Sequence, residues 1–177
     1  MRGRGIGRSL LAWMEGRGRQ KLVESGKDLP ARLAVYVEED ARDQRRLYAA
    51  AGFSPIRWYV RMRRDLTVPL PDVVEPEGVR IEPWRLEIDE AVRLAHNDAF
   101  ADHWGSEPRS AEDWRHDAHF APEWSFVALD GDEVAGYALS SRYEQDFEVL
   151  GAPFGYTNLL GVRGPWRGRG IAPALLV

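Results

Sequence analysis

The hexapeptide Arg2-Gly3-Arg4-Gly5-Ile6-Gly7 recurs near the other end of the chain as Arg167-Gly168-Arg169-Gly170-Ile171-Ala172, with only the last residue changed. Each copy runs into a small, apolar stretch, Ser9-Leu10-Leu11-Ala12 in the first and Pro173-Ala174-Leu175-Leu176 in the second. Two such segments this far apart mark two copies of one supersecondary unit rather than low complexity. Glycines let a backbone approach a ligand closely and adopt torsions barred to other residues. A loop that opens into a helix offers free N–H groups and the favourable end of the helix dipole to an anion. Arginines add charge-assisted bonds to phosphate oxygens. Each copy therefore reads as a cradle for a phosphate or diphosphate. The Walker loop does not fit, because neither copy continues into Gly-Lys-Ser/Thr. Nor does the dinucleotide fingerprint, whose last glycine falls on Arg8 in one copy and Pro173 in the other.

The 177 residues, 44% hydrophobic and 29% charged, suit one ordinary soluble domain. No apolar run approaches the ~18 residues that span a bilayer. The basic N-terminus lacks the compact apolar stretch and cleavage site of a signal peptide. The chain has no cysteine. That excludes disulfides, thiolate nucleophiles and Cys-ligated zinc, and a cytoplasmic location is expected. The net charge of −4 is unevenly spread: residues 1–65 carry 15 basic and 8 acidic groups, and residues 66–177 carry 9 and 20. Opposed halves of this kind attract one another or an anionic ligand.

Periodicity predicts a helix from Gly5 to Ser25, weakened by Gly16 and Gly18, then a turn from Gly26 to Pro30. Strands are expected at 32–37 and 54–64, on either side of a helix capped by Asp40 and stopped by Gly52. Pro69, Pro71 and Pro76 make 66–78 a stiff linker and the strongest boundary signal in the chain. Beyond it the pattern predicts a short strand at 79–82. A helix follows over 87–103 with Ala91, Leu94, Ala95 and Phe100 inward, and a second helix over 110–120 is opened by Ser110 and Asp113. Strands at 125–129 and 133–140 joined by Asp130-Gly131-Asp132 form a hairpin. A further strand at 154–162 leads to a last helix beginning near Gly170.

Both hexapeptides fit Arg/Gln-x-x-Gly-x-Gly/Ala, and the second follows the strand Leu159-Leu160-Gly161-Val162. The first is followed by helix, strand and then Leu47-Tyr48-Ala49-Ala50-Ala51-Gly52-Phe53, of the form Leu-Tyr-x-x-x-Gly-Phe. On these motifs the chain resembles the GNAT superfamily of N-acetyltransferases, most closely its tandem, mycothiol synthase-like members, sampled from mid-domain to mid-domain. The resemblance implies an α/β (α+β) fold: a mixed, mostly antiparallel sheet flanked by helices, with its elements in permuted order. Residues 1–65 correspond to the C-terminal half of one GNAT domain and 79–177 to the N-terminal half of a second.

The implied function is transfer of an acetyl group from acetyl-CoA to the primary amine of a small molecule. By resemblance, the backbone of Leu160 and Val162 holds the pantetheine arm between splayed strands at 156–162 and 32–37. The segment Arg167, Gly168, Arg169, Gly170, Ile171, Ala172 or the segment Arg2, Gly3, Arg4, Gly5, Ile6, Gly7 holds the diphosphate. Tyr48 protonates the departing thiolate while main-chain donors stabilise the oxyanion. The family often has Asn seven residues before that Tyr and Ala four before it; here these are Ala41 and Gln44. The general base is sought among Glu144, Asp146 and Glu148, or in a water chain. The partner implied is a second copy in a swapped homodimer or the remainder of a tandem chain.

Other readings compete. The chain can be a catalytically inactive half that binds CoA or only supports structure. Nucleic-acid binding through the Arg-Gly N-terminus is disfavoured by the negative net charge and the lack of interleaved aromatics. His116 and His119, with His96 and His103, lack a carboxylate or Cys that would complete a metal set, so no metal is expected. Trp84, Trp104, Trp114 and Trp124 either wall an acceptor pocket or pack core and lid.

Overall fold

The computed structural model of the protein describes residues 5–26 and 32–177. They divide into two compact units, residues 1–64 and 65–177. Arg2, Gly3, Arg4 and most of the turn expected at 26–30 lie outside the described residues.

In the first unit, helix α1 runs over Ile6–Ser25 and helix α2 over Arg42–Ala50. Two of the glycines of α1 face neighbours, while Gly16 faces open space. A Cβ on Gly7 would lie 3.2 Å from Leu47 of α2, and one on Gly18 would lie 3.5 Å from Leu33. Gly52 (φ 87°) takes the left-handed turn that ends α2, and its N–H bonds Ala49 O at 3.1 Å. The strands expected at 32–37 and 54–64 carry no ladder. Their side chains do meet: Tyr36 lies 5.9 Å from Tyr59 and Glu38 lies 3.7 Å from Arg61, an offset of 23 residues in both cases. The segments thus run side by side in parallel. Pro55 lacks an N–H, the outer residues Val60 and Met62 are exposed, and a lone pair of extended segments holds a ladder poorly.

The second unit is a four-stranded antiparallel sheet in the order β1 (Arg80–Pro83), β2 (Phe126–Asp130), β3 (Glu133–Ser141), β4 (Tyr156–Val162). The Asp130-Gly131-Asp132 turn forms as the sequence requires, with Gly131 at φ 60°. The strands alternate sides. One face sends Val127, Leu129, Tyr137 and Leu139 against helix α3 (Asp89–Ala99). The other sends Ala128, Ala138, Leu160 and Val162 against Ile171 and Leu175 of helix α5 (Ile171–Leu175). Between β3 and β4 lies the single-turn helix α4 (Phe147–Leu150).

Two expectations for this unit change. Helix α3 is shorter than 87–103 and is turned about its axis. It buries Val92, Ala95, His96 and Ala99, while Leu94 is exposed. The spacing is helical either way; what selects the face is that His96 finds a buried partner. The helix expected at 110–120 is a single turn. Ser110 Oγ accepts from the Asp113 N–H at 3.1 Å, and the Trp114 N–H bonds Ser110 O at 2.9 Å. His116 is then drawn to Asp89 at 2.8 Å, which pulls the chain off the helical path.

Candidate functional site

Strand β4 is one edge of the sheet, and its register decides which of its main-chain groups are free. The Arg163 N–H bonds Ala135 O at 3.0 Å, so residue 163 faces β3. Antiparallel pairs alternate, so Gly161 opposite Tyr137 also bonds inward. Leu160 and Val162, opposite Ala138 and Gly136, turn their N–H and C=O groups outward. Val162 O already accepts from Arg167 Nε at 3.1 Å. The Leu160 groups are open for a guest that binds like a strand.

From Val162 the chain makes a 3-10 turn at Gly164–Trp166 and then the loop 167–170 that opens α5. Gly168 and Gly170 both sit at φ 79°, in the left-handed region. The main-chain N–H groups of Gly168, Arg169, Gly170, Ile171 and Ala172 find no acceptor among the described residues. They form a row of donors that ends at Ala172, on the wall of a cleft of about 460 Å³. Leu160, Gly161 and Val162 of β4, Ala99 at the end of α3, Phe100, Asp102 and His103 just beyond it, Arg167 and Ala172 line this cleft.

The two loop arginines are committed to the protein. Arg167 donates to Ala99 O at 2.7 Å and pairs with Asp102 at 3.4 Å, so it ties the loop to the end of α3. That guanidinium holds the Asp102 carboxyl below the usual carboxylate range, chiefly through its hydrogen bond. Arg169 donates to Glu77 O at 2.7 Å and pairs with Asp130 at 3.6 Å. Arg163 bonds Asp98 at 2.6 Å and lies 4.8 Å over the Trp166 ring. An anion here would meet the row of N–H donors, with the arginines acting as struts.

The floor of the cleft is Gly161, and Tyr137 fills the space a side chain there would take. A Cβ at 161 would lie 2.6 Å from the Tyr137 hydroxyl. Tyr137 is fully buried and its hydroxyl pairs with His96 Nδ1 at 2.5 Å. Burial pushes the His96 ring down to about 4, helped by the nearby Arg109 charge, and pushes the Tyr137 phenol above its ordinary value. Above about pH 4 the His96 ring is neutral. Nothing in the sequence motifs pointed to this pair; the only available signal was a histidine at α3 spacing from Val92 and Ala99.

The remaining expected residues are dispersed. Leu160, Val162, Arg167, Gly168, Arg169, Gly170, Ile171 and Ala172 are brought together. Gly5, Ile6 and Gly7 open α1 in the first unit, where Gly5 (φ 75°, ψ −3°) repeats the torsions of Gly170 (φ 79°, ψ 7°). Tyr48 lies on α2, half-buried, with its ring 5.5 Å from Phe53. Glu144, Asp146 and Glu148 are exposed, and Glu144 pairs with Arg142 at 2.6 Å. His96, His116 and His119 are held by Tyr137, Asp89 and a ring contact with Tyr143. No metal-binding cluster occurs among the described residues. Trp84 and Trp114 pack with the core, whereas Trp104 and Trp124 are exposed. No helix among the described residues is long and apolar enough to cross a membrane.

Comparison with known proteins agrees with this geometry. Residues 89–176 match the acetyltransferase (GNAT) family. The mycothiol acetyltransferase of Thermobispora bispora is 34% identical over 184 residues, covering 98% of this chain and 56% of the relative. That of Streptomyces bingchenggensis is 35% identical over 187 residues, covering 98% and 54%. The crystal structure of a GCN5-related N-acetyltransferase from Sphaerobacter thermophilus superposes with a TM-score of 0.65 at 28% identity, covering 99% of this chain and 54% of that one. The chain spans about half the length of the curated relatives it matches.

Proposed function

Because residues 89–176 belong to the GNAT acetyltransferase family, we propose that this chain serves the transfer of an acetyl group from acetyl-CoA to a primary amine on a small molecule. The observation that carries the reading is the outward-facing edge at Leu160 and Val162, followed after one 3-10 turn by five N–H groups that find no acceptor among the described residues. Coenzyme A fits both parts. Its pantetheine amides match an open strand edge, and its diphosphate matches donors at a glycine-kinked helix start. Acetyl-CoA supplies the activated acyl group.

In this reading Leu160 and Val162 orient the pantetheine arm, and the N–H groups from Gly168 to Ala172 hold the diphosphate. Arg167 and Arg169 keep that loop in shape while contributing positive charge. The copy at Arg2–Gly7 is a second diphosphate cradle, and Tyr48 is the acid that protonates the departing thiolate. No carboxylate among Glu144, Asp146 and Glu148 is sheltered, so a water chain is the better carrier of the amine proton. The relatives' name favours a small-molecule acceptor, and the acidic balance of residues 66–177 favours a cationic one. We place the reaction in the cytoplasm, with either the remainder of a tandem chain or a second copy in a swapped homodimer as partner; nucleic acid and membrane are not partners.

The test is calorimetric titration of CoA into the protein and into Gly170→Val. A β-branched residue is strained at φ 79° and should displace the donors. The expected result is a loss of CoA affinity of on the order of tenfold or more. No binding by the unaltered protein would overturn the reading. Tyr48→Phe is expected to lower kcat for CoA release by about 10²-fold with CoA affinity unchanged, the scale of a lost general acid. Unchanged kcat would remove Tyr48 from the mechanism.

A further inference from the structure

The loop that carries the N–H row is braced at two places, by contacts to residues outside the motif. On the α3 side, Arg167 reaches Ala99 O and Asp102. At the second place, the β2–β3 turn supplies Asp130. Its Oδ2 accepts the Trp166 indole N–H at 2.8 Å and faces Arg169 Nη1 at 3.6 Å. Trp166, partly buried, packs against the cluster of Ala128, Ala138, Ile171 and Leu175 on the α5 side of the sheet. Trp166 and Arg169 flank Arg167 and Gly168, so a single carboxylate fixes the loop at two points, one before and one after the first left-handed glycine.

We propose that Asp130 is a positioning residue for the 167–172 loop: it presents the N–H row in its ligand-ready shape through Trp166 and Arg169. The shape itself is argued from the protein alone; that the ligand is the diphosphate of CoA rests on the function proposed above. The two variants separate the two contacts. Asp130→Asn keeps an oxygen for the Trp166 indole and removes the charge facing Arg169. Asp130→Ala removes both. Asp132→Asn, on the same turn, controls for general damage to the hairpin.

The experiment is NMR on the ¹⁵N-labelled protein combined with CoA titration. With Asp130→Ala, the Trp166 indole resonance should shift, and the Gly168 and Gly170 amides should fall from the rigid range of about 0.85 towards 0.6 in order parameter. The β2 and β3 amides should keep their rigidity, and CoA affinity should fall on the order of tenfold. Asp130→Asn should lie between Asp130→Ala and the unaltered protein, and Asp132→Asn should match the latter. Unchanged glycine amides in Asp130→Ala, or equal loosening of the hairpin strands, overturns the proposal. Loosened glycine amides in a protein that binds no CoA in any form uphold the brace and sink the cofactor reading instead.

Discussion

Replacing Gly161 by Ala is expected to destabilise the 65–177 unit by about 3 kcal/mol, near the upper end for an overpacked core. The added Cβ would lie 2.6 Å from the Tyr137 hydroxyl, 2.7 Å from its Cε1 and 2.8 Å from its Cζ. Tyr137 has no free direction to retreat. Its ring is fully buried and its hydroxyl is held by His96, so the strain must move β4 instead. Urea unfolding of Gly161→Ala and of the same change in a Tyr137→Leu background measures the effect. In the second background the extra methyl should cost less than about 1 kcal/mol, because the two sites are in contact and couple strongly. Equal costs in both backgrounds would show that Tyr137 is not what excludes a side chain there. The movement of β4 should also reach the edge groups of Leu160, so the variant is expected to lose affinity for strand-like guests together with stability.

The second large effect is on the response to acid. His96 takes up a proton at about pH 4 in the folded protein against 6.5 for an unperturbed ring. Between those values the unfolded chain binds a proton that the fold refuses. Stability is therefore at its full level above about pH 6.5 and falls as the pH drops towards 4. The full difference corresponds to roughly 3 kcal/mol, of which about 2 kcal/mol should be lost between pH 7 and pH 5. Urea midpoints for the unaltered protein and for His96→Phe over this range are the check. The variant leaves the Tyr137 hydroxyl without its partner and should be weaker by about 1–3 kcal/mol at pH 7. Its pH dependence should nevertheless be flatter by one proton. Parallel curves for the two proteins would mean that the imidazole does not titrate with unfolding.

Local signals were legible in the sequence wherever a single residue type answered a single backbone demand. Gly131, Gly52 and Gly170 each take a left-handed torsion that other residues resist, and the hairpin, the end of α2 and the start of α5 fall where these glycines predict. The edge strand and its loop were likewise readable, because the apolar run 159–162 and the Arg-Gly segment adjoin in the chain. Choices settled by tertiary partners could not be read. The face of α3 depends on His96 finding Tyr137, 41 residues away. The helix after Ser110 stops because His116 is captured by Asp89, 27 residues upstream. The extended segments at 32–37 and 54–64 have strand-like composition, but a ladder also needs partners that composition does not supply. Asp130 and Trp166 are common turn and apolar residues until the fold brings them to 2.8 Å.

The matched torsions of Gly5 and Gly170 bear on how portable this loop is. One of these glycines introduces a 20-residue helix exposed along most of its length, and the other introduces five residues pressed against a sheet. Surroundings so unlike one another impose no common geometry, so the bend is written in the handful of amino acids that make it. A peptide of that length grafted between a strand and a helix of an unrelated scaffold should keep its curvature, and with it a run of main-chain N–H groups left open to solvent.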